Sequence, residues 1–368
     1  MSELKIEVCK ILEINPHPNA DRLVIAKIKG WDVIIKKDIM NMGDLVAFIP
    51  PDSILTKTLQ EFLGITNYCA ELPKSNPLHE LGSRRVKATR LRGVASYGTV
   101  MTIKDVEKYF ELEFNGDISD RLVEGSDLSA VLNIRKYEPP VRATAGDAEV
   151  ESPMFHKYIE IENWRNYPNV FKDGDQVVIT QKIHGSNCRI GYCLDTKDGQ
   201  WKIMAGSHKV RRKEGLYWTP LEMYPQLVDM IMDIYSRNSQ QPVVVFGEIF
   251  GDGIQDITYG LTNGKKDFRI FDISVGGKYM SWPFMNGNCS IYKIPTVPLL
   301  YIGPYSEDVV KQNTDGEAFA FTTNAKFKGR EGCVIKSYLE EEDPYFGRKI
   351  LKSVSVDYLD RANAQDNE

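Results

Sequence analysis

No two cysteines in this 368-residue chain are spaced C-x-x-C. The six present, Cys9, Cys69, Cys188, Cys193, Cys289 and Cys333, are scattered. Neither a zinc ribbon nor a disulfide framework is implied, and a reducing cytoplasm is the expected compartment. Long apolar runs are also missing. None reaches the ~18 residues of a membrane helix, so no membrane partner is expected. The opening MSELKIEVCK lacks the apolar core of a secretory signal. There is no cationic excess: 46 Lys and Arg face 51 Asp and Glu, a net charge of −5. Any nucleic-acid surface must therefore be a local patch. No internal repeat or low-complexity segment stands out. What remains, 42% hydrophobic and 26% charged residues, is globular composition with length enough for two domains.

Residues 1–140 read as mostly β. Short apolar runs such as LVIAKIKGWDVIIKK and DLVAFIP are separated by turn signals at Gly30-Trp31-Asp32 and Asn41-Met42-Gly43-Asp44. That spacing predicts a small barrel or sandwich. SRRVKATRLRG adds a basic strand, on which Arg90 and Arg92 would share one face and Arg85 and Lys87 another. Arg85, Arg90 and Arg92 are candidate nucleic-acid contacts, against the alternative of a charge-protected edge strand. The Pro-, Ala- and Glu-rich stretch around 141–153 reads as a linker. From 154 to 368, strands (VVITQKI, CRIGYCL, WKIMAG, VVVFGEIF, DFRIFDISV, GCVIKSY) mix with a helix-periodic run, LEMYPQLVDMIMDIYSRN, whose Leu227, Met230, Ile231 and Ile234 share a face. The irregular order predicts an α+β fold on antiparallel sheets, not a Rossmann sheet.

Lysine is among the residues least often buried unpaired, yet Lys182 ends the apolar run VVITQK and is followed by the turn His184-Gly185-Ser186-Asn187. Glu248 sits inside the apolar VVVFGEIFG, Glu331 heads the β-branched EGCVIK, and Lys352 ends KIL. Any one of these is as readily a core ion pair. Two lysines and two glutamates at strand ends, in this order, are harder to assign to structure alone.

The order resembles the motifs of ATP-dependent polynucleotide ligases and capping enzymes. Lys182-Ile-His184-Gly185-Ser-Asn187 is similar to the KxHGxN nucleophile motif of RNA ligases, where DNA ligases and capping enzymes more usually carry KxDG. FGEIFG, FRIFDI, EGCVIK and KILKSVS resemble the four motifs that follow. The amino-terminal runs and KYEPP resemble the OB-like domain of one RNA ligase branch, which carries that module first and little after the last motif; about sixteen residues follow Lys352 here. HPNADRL is similar to OB modules that bind tRNA. Three positions depart from the family pattern: Gln181 precedes the nucleophile, Ser207-His208-Lys209 stands where an arginine motif is usual, and Ile350 occupies the first lysine position of the last motif.

The resemblance implies an N-terminal OB-like β-barrel, an adenylyltransferase domain, and an RNA ligase that joins 3′-hydroxyl and 5′-phosphate ends through lysyl-AMP and RNA-adenylate. ATP and Mg2+ or Mn2+ are the implied cofactors. The implied partner is RNA, possibly as a nicked duplex, and the chain is expected to act as a monomer. Lys182 would be the nucleophile. An unperturbed lysine titrates at about 10.4, so its neutral amine costs about 4.6 kcal/mol at pH 7, and the site must lower that value. Glu331 would hold the metal, Glu248 the ribose, and Phe268 the adenine; by strand alternation Phe271 is assigned to the core. Lys352 would stabilise charge on the α-phosphate. His184, Gly185, Asn187, His208, Lys209 and Lys349 complete the nucleotide contacts. The alternatives are a DNA ligase, a capping-type transferase, or an inactive RNA-binding OB protein.

Overall fold

The computed structural model describes residues 4–137, 147–318 and 327–365, with side chains as far as 360. Residues 141–146 of the predicted linker lie outside the described residues. Two compact units divide the chain. The first takes residues 1–142, 162–168 and 356–368, the second 143–161 and 169–355. A single cut near 154 therefore misses two short returns to the first unit.

In the first unit, five antiparallel strands lie in the order Thr99–Thr102, Leu45–Ile49, Glu7–Pro16, Leu23–Ile28, Trp31–Lys36. Both faces are covered, as alternation allows. Val8, Ala47 and Ile49 join one core with Val106 and Tyr109 of the helix Ile103–Phe114, while Cys9, Val46 and Phe48 join a second with Val33 and Trp31. Thr102 caps that helix by accepting the Asp105 N–H, and Asn115 ends it in the left-handed conformation. Val356 and Leu359 of the last helix, Val356–Gln365, pack into the second core. In the 162–168 return, the Arg165 guanidinium lies 4.5 Å over the Tyr97 ring.

The basic stretch 84–92 is two strands in two sheets. Arg84–Val86 pairs with Ser53–Leu55 and Cys69–Glu71, whereas Ala88–Leu91 forms a hairpin with Val94–Tyr97. This break separates side chains that an unbroken strand would align.

Among its described residues the second unit contains two larger antiparallel sheets and the ribbon Glu342–Asp343 with Gly347–Arg348. One runs Arg211–Arg212, Gln200–Ser207, Ser186–Asp195, Val243–Gly251, Lys266–Val275, Lys278–Tyr279, and the other has the order Ile350–Val354, Gly332–Ser337, Gln176–Lys182, Leu299–Pro304. The predicted helix is present but broken. Thr219–Met223 and Gln226–Arg237 flank Pro225, which has no N–H to continue the first helix. Leu227, Met230, Ile231 and Ile234 are buried, as their spacing requires. No described helix is long and apolar enough to cross a membrane.

The two sheets are tied by a buried ionic cluster. Asp272, on the six-stranded sheet, accepts from Lys336 (3.1 Å) on the other sheet, from Arg348 (2.8 Å) and from the Tyr158 hydroxyl (2.7 Å). Burial pushes the Asp272 carboxyl up, but Arg348 and Lys336 outweigh it and hold the group below its ordinary range. Removing one member of such a cluster strands the others. Asp272→Ala is expected to lose about 3–5 kcal/mol of unfolding free energy in urea titrations; a loss below about 1 kcal/mol, the scale of an exposed pair, would contradict this role.

Candidate active site

Gln176–Lys182 is a central strand, buried from Val177 to Gln181 and half-buried at Lys182, its end. In register, Lys182 faces Gly332, so the preceding Glu331 arrives beside it. Gly332 is required there. It has φ +149°, and a Cβ would lie 2.0 Å from the Ser353 carbonyl oxygen. The Lys182 ammonium donates to Glu331 Oε1 at 2.6 Å, with the lysine side chain 30% exposed and the glutamate 9%.

Three residues then carry the chain from one sheet to the other, since the next strand begins at Ser186. The turn passes against the Val243–Gly251 strand. A Cβ on Gly185 would meet the Ile249 carbonyl oxygen at 2.2 Å and Glu248 Cγ at 2.9 Å, and the Gly185 N–H favours the charged form of the Glu248 carboxyl. Asn187 lies directly opposite Glu248. His184 is gripped from the segment after that strand: its N–H donates to the Tyr259 hydroxyl at 2.6 Å, and its Nε2 lies 2.7 Å from Asp256 Oδ1. Nδ1 faces Glu331 Oε2 at 3.7 Å.

The charges are arranged unequally. Burial raises the Glu248 carboxyl to about 8; Glu331 adds to this, and Lys182 and the Gly185 N–H oppose it. Burial also pushes Glu331 up, but Lys182 and His184 overcome this and bring it down to about 2. Burial pulls Lys182 down, yet Glu331 and Glu248 prevail and its pKa is raised. At neutral pH, Lys182 is thus an ammonium paired to one carboxylate, with Glu248 largely protonated.

Lys352 shares their side of the sheet. Val334 is the cross-strand partner of both Thr180 and Lys352, and Lys182 follows Thr180 by two residues. Two buried acceptors, Glu331 Oε2 and Asn187 Oδ1, make no protein hydrogen bond. Among the described residues no group of three or more His, Cys, Asp or Glu side chains forms a ready metal cage. The fit is to a hard divalent ion bound through one or two carboxylates, water and a polyphosphate, and Glu331 Oε2 is a suitable donor.

Several predicted residues are not brought here. Phe268 is fully buried, on the face opposite Glu248, with its ring filling the space above Gly247. Arg269 is the cross-strand partner of Glu248, so alternation puts Phe271 on Glu248's face and Phe268, which the resemblance marks, on the other. The half-buried Phe271 packs with Phe246 and Tyr158 on Glu248's side. The Lys349 ammonium is bound to Asp175 (2.7 Å) and Glu341 (3.1 Å), on the opposite face from Lys182. His208 faces Glu160 at 3.1 Å, and Lys209 is exposed at a tight turn. The suggested contacts at 85–92 are largely engaged. Arg85 is buried 4.4 Å over Tyr137, Arg84 pairs with Glu71, Arg90 pairs with Asp357 and Asp360, and Arg92 sits exposed in the hairpin turn at φ +49°. Asp256 and Tyr259 are site neighbours that no sequence motif marked, and Phe271 lies within FRIFDI.

Residues 175–354 match the RNA ligase family, and residues 5–103 match an OB-fold domain. The chain carries an RNA ligase domain. This domain holds Lys182, Glu248, Glu331 and Lys352, and the OB-fold domain precedes it. No curated protein sequence matches. Among solved structures, a lysine-to-alanine variant of the Naegleria gruberi RNA ligase with ATP and Mn is 20% identical, with TM-score 0.72 over 96% of this chain and 98% of that one. A glutamate-to-alanine variant with AMP and Mn is 20% identical, at 0.72 over 97% and 99%. The same ligase with pyrophosphate is 21% identical, at 0.72 over 98% and 100%. At these identities the likeness carries the fold.

The two glutamates make opposite contributions to stability. Glu248 has a raised pKa, so between pH about 4.5 and about 8 the folded protein keeps a proton that the unfolded chain releases, and stability falls as pH rises through that window. Glu331 has a depressed pKa; its stabilisation is present above about 4.5 and lost as pH falls toward about 2. Glu248→Gln is expected to lose the decline between pH about 4.5 and 8 while keeping the acid-side loss. Thermal melts across that range check this; a variant curve parallel to wild type from 4.5 to 8 would contradict it.

Proposed function

We propose that this protein is an ATP-dependent RNA ligase and that Lys182 is its adenylated residue. The carrying observation is the short Lys182–Glu331 pair at the junction of two sheets, with Glu248 across a glycine turn. The lysine nitrogen would attack the α-phosphorus of ATP, forming a P–N bond as the bond to pyrophosphate breaks. The AMP then passes to an RNA 5′-phosphate, and attack by a 3′-hydroxyl joins the ends and releases AMP.

The ion pair holds Lys182 in its unreactive protonated form before nucleotide arrives. A divalent ion, Mg2+ or Mn2+, held through Glu331 would supply positive charge that lowers the amine's pKa and neutralises the triphosphate. The chain's own residues do the remaining work. Glu248, protonated at neutral pH, both donates and accepts at the ribose. Lys352 brings a cation to the phosphate side. Gly185 lets the backbone come close, and Asn187 offers an acceptor beside Glu248. We assign adenine stacking to Phe271, which shares Glu248's face, in place of the buried Phe268.

The OB-fold domain is proposed to contact RNA, with Arg92 the exposed member of the basic stretch. RNA with 5′-phosphate and 3′-hydroxyl ends, including nicked duplexes, is the proposed substrate, and a monomer the proposed active form. Six buried cysteines, none in a disulfide, suit a reducing cytoplasm.

Lys182→Arg keeps the charge but removes the amine that can deprotonate. No protein–AMP adduct is expected from it with labelled ATP and Mg2+, whereas wild type labels. Labelling of the variant at wild-type yield would refute the assignment.

The two phenylalanines separate cleanly. Phe271→Ala is expected to weaken ATP binding by about 1–3 kcal/mol with little loss of stability. Phe268→Ala should instead lose about 3–5 kcal/mol of stability, as for any fully buried ring. Titration calorimetry and urea melts on both variants check this; full ATP affinity in Phe271→Ala would sink its stacking role.

A further inference from the structure

The segment following the Glu248 strand has no assigned task, yet it grips the nucleophile turn at three points. Gln255 Nε2 donates to the Gly185 carbonyl at 3.4 Å, the Tyr259 hydroxyl accepts the His184 N–H at 2.6 Å, and Asp256 Oδ1 lies 2.7 Å from His184 Nε2. Its footing is firm. Tyr259 is 1% exposed and its ring meets Phe250 edge-on at 5.4 Å, while Asp252 accepts the Gly264 N–H at 2.8 Å and closes the loop's far end. Asp256 itself is 36% exposed, so it carries no core packing.

A contact chain follows: Asp256 to His184 at 2.7 Å, His184 to Glu331 at 3.7 Å, Glu331 to Lys182 at 2.6 Å. An imidazole on a short turn can rotate about its side-chain bonds, and a hydrogen bond at one ring nitrogen fixes where the other points. We propose that Asp256 is a positioning residue for adenylyl transfer: by holding Nε2 it keeps the His184 ring against Glu331, and so sets the carboxylate that faces the Lys182 nitrogen. The inference rests on Lys182 being the adenylated residue. As a positioning residue acting through His184, Asp256 is expected to change the rate of the step and leave ATP capture alone.

The experiment is single-turnover formation of lysyl-AMP by the full chain, with ATP and Mg2+, across ATP concentrations. Asp256→Ala is expected to slow the limiting rate about tenfold, the scale of one oriented hydrogen bond, with unchanged half-saturation. Asp256→Asn keeps an acceptor for Nε2–H and is expected within about threefold of wild type. The deciding measurement is the double variant. If Asp256 acts through His184, His184→Ala/Asp256→Ala is no slower than His184→Ala alone. Three results would overturn the proposal: a wild-type rate in Asp256→Ala, weakened half-saturation at full rate, or the same slowing by Asp256→Ala in the His184→Ala background. A wild type that forms no adduct at Lys182 overturns the ligase reading and this inference together; a labelled wild type with additive variants overturns this inference alone.

Discussion

The ion pair between Lys182 and Glu331 is the constraint that organises the second unit. For an ammonium and a carboxylate to meet at 2.6 Å at a strand end, two adjacent strands must end together, a third must approach them closely, and a turn must leave in another direction. Gly332 permits the approach and Gly185 the turn. Glu248 completes a triad of one base and two acids in a half-enclosed space, and that space ionises only one acid. The resting site is therefore close to electroneutral, with a proton on the nucleophile and another on Glu248.

Much of this was legible in the chain. The strand-end lysines and glutamates were visible because each is a local anomaly, a charged residue in an apolar run. The mixed sheet order and the buried helix face around Met230 and Ile231 also followed from periodicity. The boundaries were harder to see. The returns at 162–168 and 356–365 join the first unit through contacts such as Arg165 over Tyr97 and Val356 in the barrel core. Nothing in their composition announces this.

Two expectations meet a different geometry, for physical reasons. The resemblance assigned Phe268 to the nucleotide and alternation put Phe271 on the opposite face, but the pairing of Glu248 with Arg269 makes Phe271's face the one Glu248 shares. That register depends on the neighbouring strand and leaves no mark in one chain segment. The basic stretch read as a nucleic-acid patch because its acids are distant in sequence: Arg90 meets Asp357 and Asp360 some 270 residues on. The link from Asp256 to His184, which spans 72 residues, was invisible for the same reason.

The turn from Lys182 to Ser186 has one more consequence. With three residues between two hydrogen-bonded strands, the backbone at the nucleophile has no slack, and its Cα is anchored from both sheets at once. The lysine nitrogen can travel only as far as its own four-carbon stem swings. Three successive reacting partners, a nucleoside triphosphate and then two RNA ends, would all have to be delivered to one nearly stationary point. The molecule is built like a lathe with a fixed tool, in which the work is moved and the cutting edge stays still.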